Sequence, residues 1–245
     1  MVDDLPPTWQ PASAWTPSPA GVDLWWASLR PDEGAEGCLT ADELARARRF
    51  ISPSRGEAFV AARSRLRQVL GRYVGAPAKA LRFEYGQHGK PSLSGRQTPR
   101  FNLSHSGSHL LLAVCAAQEV GVDVELARPG RRFFAIAERF FAPDELARLR
   151  AVEDDAEATA DVFYRFWACK EAYLKLHGTG LTFPSSDFSV ALDPAVSRVE
   201  WTRLPGDDGV RWHLDAIGTP TPEYRAALCR GEAGPLRGFV LDESP

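Results

Sequence analysis

Trp167-Ala-Cys-Lys170-Glu171-Ala-Tyr-Leu-Lys175-Leu-His177-Gly178-Thr-Gly180-Leu181 is the stretch on which the fold of this chain turns. It closes a helix expected from about Asp161 to His177, and Gly178 and Gly180 stand where a left-handed cap and a stop belong. At about 100° per residue, Phe163, Phe166, Trp167 and Leu174 share one apolar stripe. Lys170 lies inside that stripe, and Glu171 and Lys175 share its edge one turn apart. A helix that needs only a core face has no use for that lysine. Snorkelling and an i,i+4 ion pair worth about 0.2–0.5 kcal/mol would explain the charges without any chemistry.

Composition bounds the problem. The 245 residues suffice for one large or two small domains, and 44% are hydrophobic, enough for a core. A net charge of −3 gives no sign of nucleic-acid or membrane affinity. Met1-Val-Asp-Asp-Leu-Pro-Pro lacks a basic n-region and an apolar run, so it does not read as a signal peptide. No apolar run approaches the roughly 20 residues that span a bilayer. Cys38, Cys115, Cys169 and Cys229 form no Cys-x-x-Cys pair and read as reduced thiols of a cytoplasmic protein.

Outward from the helix, the pattern is strand, helices, strands, and then the same order again. Residues 1–20, rich in Pro, Ser and Ala, read as a loose tail. Val22 to Leu29 reads as a strand, with Trp25 and Trp26 on opposite faces. Thr40-Ala-Asp-Glu43 is a capping box opening a short helix. Ser52-Pro53 opens a longer helix that stops at Gly75 and carries Arg63, Arg65 and Arg67 on a face read as solvated or, in the sharper reading, as a cluster that meets phosphates. Strands are expected at 81–85, 101–103, 110–117 and 121–125, helices at 131–141 and 143–152, and an acidic loop at 153–160. Further strands are expected at 186–192, 198–204, 210–217, 223–229 and 237–241. The expectation is an α+β fold of two similar halves, residues 21–118 and 119–245, without recognisable repeated sequence.

The chemistry concentrates in three places. Asp123 and Glu125 share a face of one strand, roughly 6.5–7 Å apart along the backbone. Alone they read as solvated acids. With Glu171 as a third carboxylate and two lysines beside it, they suit a hard cation and phosphoryl chemistry. His105 sits in Ser104-His105-Ser106-Gly107, read as a polar turn whose N–H groups could cradle phosphate. Lys90, in the Gly86-Gln87-His88-Gly89-Lys90-Pro91 loop, could supply a point charge to the same anion. No Gly-x-Ser-x-Gly elbow, Walker A loop or Rossmann fingerprint occurs, which argues against a serine hydrolase and the ordinary nucleotide folds.

Four pieces in this order carry a family resemblance: Gly89-Lys90-Pro91, Phe101-Asn-Leu-Ser104-His105-Ser106-Gly107, Gly121-Val-Asp123-Val-Glu125 and Trp167-x-x-Lys170-Glu171-Ala-x-x-Lys175-x-x-Gly178-x-Gly180-Leu181. The chain resembles the 4′-phosphopantetheinyl transferases of the longer, two-half Sfp type. The resemblance implies two α+β halves with coenzyme A between them, and transfer of phosphopantetheine to a serine of an apo acyl or peptidyl carrier protein, releasing 3′,5′-ADP. It implies Mg²⁺, with Mn²⁺ as a substitute, on Asp123, Glu125 and Glu171. It implies Glu171 as base, Lys175 as acid and His105 as a third catalytic group. It places coenzyme A contacts at Arg46, Arg63, Ser64, His88, Gly89, Lys90, Pro91, Ser104, His105, Lys170 and Lys175. The N-terminal contacts depart from the family pattern, because Glu43 stands where the family has a lysine. Two fused halves imply a monomer. A Mg²⁺-dependent phosphohydrolase and a non-catalytic coenzyme A- or carrier-binding protein are the competing readings.

Overall fold

A computed structural model describes residues 8–95, 99–130, 132–178, 185–192, 197–200 and 212–241. In chain order the elements are β1 (Trp9–Pro11), β2 (Val22–Ser28), α1 (Ala41–Arg48), α2 (Pro53–Val74), β3 (Phe83–Tyr85), β4 (Pro91–Leu93), β5 (Arg100–Ser106), β6 (His109–Cys115), β7 (Val120–Leu126), α3 (Phe133–Phe140), α4 (Pro143–Arg150), α5 (Ala156–His177), β8 (Ser189–Leu192), β9 (Ser197–Glu200), β10 (His213–Ile217), β11 (Tyr224–Arg230) and β12 (Leu236–Val240). The fold is α+β, as the sequence pattern predicts. Gly180, Leu181 and most of the strand expected at 198–204 lie outside the described residues.

Two five-stranded sheets, β1-β12-β2-β6-β5 and β7-β11-β10-β9-β8, pack face to face. Val22, Leu24, Trp26, Leu111 and Ala113 of the first meet Val122, Val124, Ala226 and Leu228 of the second. The outer face of the first sheet, with Trp25, Leu110 and Leu112, takes Leu66, Val69 and Leu70 of α2. The outer face of the second takes Phe163, Phe166 and Ala172 of α5 on Leu214, Ala227 and Cys229. Middle strands covered on both faces carry apolar residues at successive positions, as at Leu24–Ala27 of β2 and Leu110–Val114 of β6, which is why Trp25 and Trp26 can both be buried.

Local signals set most helix ends. Thr40 and Glu43 form the capping box of α1, Pro53 opens α2, and left-handed Gly75 and Gly178 end α2 and α5. Helix α5 begins earlier than its apolar stripe predicts, because the Asp155 carboxylate accepts the N–H groups of Glu157 and Ala158. The stretch read as an acidic loop therefore contains the first turn of this helix.

Four other expectations give way. Within the stretch read as a tail, β1 pairs in parallel with β12, and the Trp15 indole N–H donates to Asp23 at 2.9 Å. The tail is thus built into the first sheet. The last strand, β12, also belongs to that sheet, lying parallel to β2, so the C-terminal stretch 119–245 is not one self-contained half. Ser104, His105 and Ser106 are in strand β5 and not in a turn; the bend is Gly107-Ser108, with Gly107 at φ +57°. The arginine face of α2 is not solvated either. Arg65 and Arg67 are buried, Arg65 paired with Asp32 and Arg67 with Glu43.

Candidate active site between β7 and α5

Gly121 decides where α5 lies. A Cβ on this residue would come within 2.0 Å of the Ala172 carbonyl oxygen and 2.4 Å of the Leu176 nitrogen. Only glycine allows backbone to approach backbone this closely. Strand alternation then turns Asp123 and Glu125 toward the same helix, one and two steps on. Glu171 and Lys175, one turn apart on α5, meet them there.

Lys175 Nζ donates to Asp123 Oδ1 at 2.5 Å and to Ser104 Oγ at 2.8 Å, and Ser104 Oγ donates to the same carboxylate oxygen at 2.8 Å. Ser106 Oγ donates to Glu125 Oε2 at 2.8 Å. Asp123 Oδ2 and Glu171 Oε1 are buried and have no hydrogen-bond partner among the described residues. Burial, then the charges of Asp123 and Glu125, push the Glu171 carboxyl up to about 7, with Lys175 pulling the other way. The His105 imidazole is held below its ordinary value, first by loss of water around the ring and then by the Lys175 charge.

Among the described residues, no three His, Cys, Asp or Glu side chains are disposed to hold a metal ion as they stand. The donor chemistry nonetheless fits one. Two buried carboxylate oxygens lack partners, a third carboxylate stands near, and all the donors are hard oxygens of the kind Mg²⁺ and Mn²⁺ take. Asp123 and Glu171 therefore hold capacity that the protein itself does not use.

The remaining candidates divide. His88, Lys90 and Pro91 line a cavity of about 450 Å³ together with Phe101, Arg100, Glu119, His177 and Gly178. Gly89, at φ +84°, turns the loop between them. The Lys90 ammonium is engaged within the protein. It donates to Glu119 at 2.9 Å and to the Val120 and Leu176 carbonyls, tying this loop to β7 and to the end of α5. Lys170 is not a ligand contact. It is 2% exposed, paired with fully buried Glu145 at 2.9 Å, and donates to the carbonyls of Ser185 and Phe188. Ser104 is buried with its hydroxyl committed to Asp123 and Lys175, so it belongs to the carboxylate cluster and not to a phosphate nest.

On the other side of the molecule, Ser64 is buried with no partner for its hydroxyl among the described residues, which removes it as a surface contact. Arg63 donates through Nε and Nη2 to Glu43 and lies over the Phe83 ring, in a second cavity of about 450 Å³ with Arg67, Arg82 and Tyr85. Arg46 is exposed with its guanidinium over Phe59 and does not line that cavity. The structure thus gathers Asp123, Glu125, Glu171, Lys175 and Ser104, and leaves Arg46, Ser64 and Lys170 out.

Sequence reasoning missed Asn102, Ser106, Glu119 and Glu145. Asn102, Ser104 and Ser106 alternate along β5, and that period was the available signal once the segment is read as a strand.

Comparison with known proteins places this geometry. The model of the 4′-phosphopantetheinyl transferase superfamily matches residues 119–229. The chain is 38% identical over 194 residues to 4′-phosphopantetheinyl transferase HetI of Nostoc sp., covering 74% of this chain and 81% of that protein. It is 31% identical to a 4′-phosphopantetheinyl transferase of Bacillus subtilis, over 78% of this chain and 81% of the relative. It is 35% identical to the transferase Sfp of Bacillus subtilis (strain 168), over 52% of this chain and 54% of the relative. With the carboxylates of β7 and α5 inside the matched region, the chain belongs to the 4′-phosphopantetheinyl transferase superfamily.

Proposed function

We propose that this transferase moves phosphopantetheine from coenzyme A to a serine hydroxyl of an apo acyl or peptidyl carrier protein. The observation that carries the site assignment is the convergence of Asp123, Glu125, Glu171 and Lys175, with Asp123 Oδ2 and Glu171 Oε1 buried and unpartnered. Asp123, Glu125 and Glu171 would hold Mg²⁺ or Mn²⁺, which when bound supplies charge neutralisation at the pyrophosphate. Glu171 accepts the serine proton directly or through a water. The serine oxygen forms a bond to the phosphorus that carries pantetheine. The bond from that phosphorus to the bridging oxygen breaks, and 3′,5′-ADP leaves with a proton from Lys175. His105 and Lys175 set positive or hydrogen-bonding character against the charge that grows on the leaving phosphate. The His88–Pro91 loop and its cavity suit the nucleotide end of coenzyme A, and Arg63 with Arg82 offers a second cationic pocket for phosphate.

The reading includes a monomer acting in the cytoplasm. No described helix is long and apolar enough to cross a membrane. Incubation with coenzyme A, Mg²⁺ and an apo carrier domain, followed by mass spectrometry of the carrier, is the test. A carrier heavier by one phosphopantetheine supports transfer. Coenzyme A hydrolysis with unmodified carrier would mean a phosphohydrolase, and binding without turnover a binding protein.

A further inference from the structure

Strands β5 and β7 are the facing edges of the two sheets, and no backbone ladder joins them. Side chains of β5 fill the gap at every second residue. Asn102 Oδ1 accepts the Val122 N–H at 2.9 Å, and Ser106 Oγ accepts the Leu126 N–H at 3.1 Å. Between them, Ser104 Oγ donates to Asp123. Edge N–H groups left buried without acceptors would be costly, so this row explains how two sheet edges can meet.

Ser106 does more than satisfy an edge. A hydroxyl has one proton and two lone pairs. With one lone pair engaged by the Leu126 N–H, the rotor is oriented, and its proton goes to Glu125 Oε2 at 2.8 Å. Both side chains are half-buried, so water competes weakly for that carboxylate. The backbone of β7 therefore sets the hydroxyl, and the hydroxyl sets one oxygen of Glu125.

We infer that Ser106 is a positioning residue that fixes the Glu125 carboxylate for the divalent cation, acting through Glu125 and touching neither metal nor substrate. The inference rests on the assignment of Glu125 as a metal ligand. Partners of this kind behind ligating carboxylates change metal affinity by about 10–100-fold when removed. Ser104 stands behind Asp123 in the same way, but it also accepts from Lys175, so its removal would mix two effects. Ser106 isolates one.

The test is a Mn²⁺ titration of the full chain with coenzyme A present, followed by loss of the free-ion electron paramagnetic resonance signal, on wild type, Ser106→Ala, Ser106→Thr and Asn102→Ala. Ser106→Ala should weaken Mn²⁺ by about tenfold, and Ser106→Thr, which keeps the hydroxyl, should stay within about twofold of wild type. Asn102→Ala removes an equivalent acceptor for β7 without touching a carboxylate, so it should also stay within about twofold. The inference is overturned if Ser106→Ala binds Mn²⁺ like wild type. It is equally overturned if Asn102→Ala weakens binding as much as Ser106→Ala, because a loosened strand is then the cause. If wild type itself takes up no Mn²⁺, the metal assignment falls and this inference with it; if wild type binds and only the variant pattern fails, the metal assignment stands.

Discussion

Helix α2 lies on the outer face of one sheet as α5 lies on the outer face of the other. Each has 22 residues and each ends at a left-handed glycine. Each follows a shorter helix carrying the same five residues, Asp-Glu-Leu-Ala-Arg, at 42–46 and 144–148. In both places the glutamate turns back to the N–H of its cap residue, Thr40 or Ala142, and takes a cation from the long helix. Glu43 takes Arg63 and Arg67, while Glu145 takes Lys170. Burial works to raise Glu43, but Arg67, the Thr40 N–H and Arg63 together hold it below the usual carboxylate range. Glu145, fully buried with one lysine, is pushed up by burial against that charge. Lys170 is thus the counterpart of a structural arginine, which is why it stands in the apolar stripe of α5.

The strands repeat as well. Gly21-Val-Asp23 opens β2 and Gly121-Val-Asp123 opens β7, and both aspartates are buried. Asp23 is saturated: Arg237 donates to both of its oxygens, and Trp15 and Tyr73 donate to Oδ2. Asp123 has Oδ1 filled and Oδ2 without a partner among the described residues. The same three residues give a structural anchor where the protein supplies every donor, and a site where it does not.

The largest expected effect tests the paired glutamates. Lys170→Ala leaves Glu145 buried and uncompensated, and should cost about 3–5 kcal/mol in urea unfolding. Arg67→Ala leaves Arg63 on Glu43, so it should cost clearly less, about 1–2 kcal/mol. Equal losses would break the parallel between the halves.

The second test sets Lys175 against Tyr73, the donors from α5 and α2 to the two aspartates. Lys175→Ala should lower kcat by at least ~10²-fold, with little change in coenzyme A affinity, while Lys175→Arg rescues poorly. Tyr73→Phe should cost about 1 kcal/mol of stability and leave the rate alone. Steady-state kinetics on a carrier domain separate the two.

Third, Glu171 has a carboxyl raised to about 7 from an ordinary 4.5. Above about 7 the metal-free native state must hold a charge that the unfolded chain carries at no cost. As pH falls toward 4.5 the native state binds a proton that the unfolded chain still lacks, so stability rises. With chelator present, Glu171→Gln should therefore raise stability by on the order of 1–2 kcal/mol at pH 8, and the gain should vanish below pH ~4.5. A pH-independent Tm difference would contradict this.

The smallest effect is expected at Arg46, exposed over Phe59: Arg46→Ala should change stability by under ~0.5 kcal/mol and leave coenzyme A affinity unchanged. Weakened coenzyme A binding would return this residue to the site.

The sequence by itself determined the α+β class, the capping of α1, the stops at Gly75 and Gly178 and the membership of Asp123, Glu125, Glu171 and Lys175 in one site. The first three follow from local periodicity and end signals, while the grouping of the four site residues came from the family resemblance, since no local pattern brings a strand at 121–125 to a helix ending at 177. The repeats at 42–46 and 144–148, and at 21–23 and 121–123, are also in the letters, but at five and three residues they are too short to mark a duplication without the structure. Tertiary structure alone decided that β12 and residues 9–11 complete the first sheet, since strand pairing between distant segments leaves no local mark. It likewise decided which charges are spent. Lys170, Lys90 and Ser104 look like ligand groups as residue types, but the carbonyls and carboxylates that claim them come from segments 15 to 86 residues away. What a charged group is free to do depends on which donors and acceptors the fold brings against it, and only packing sets that.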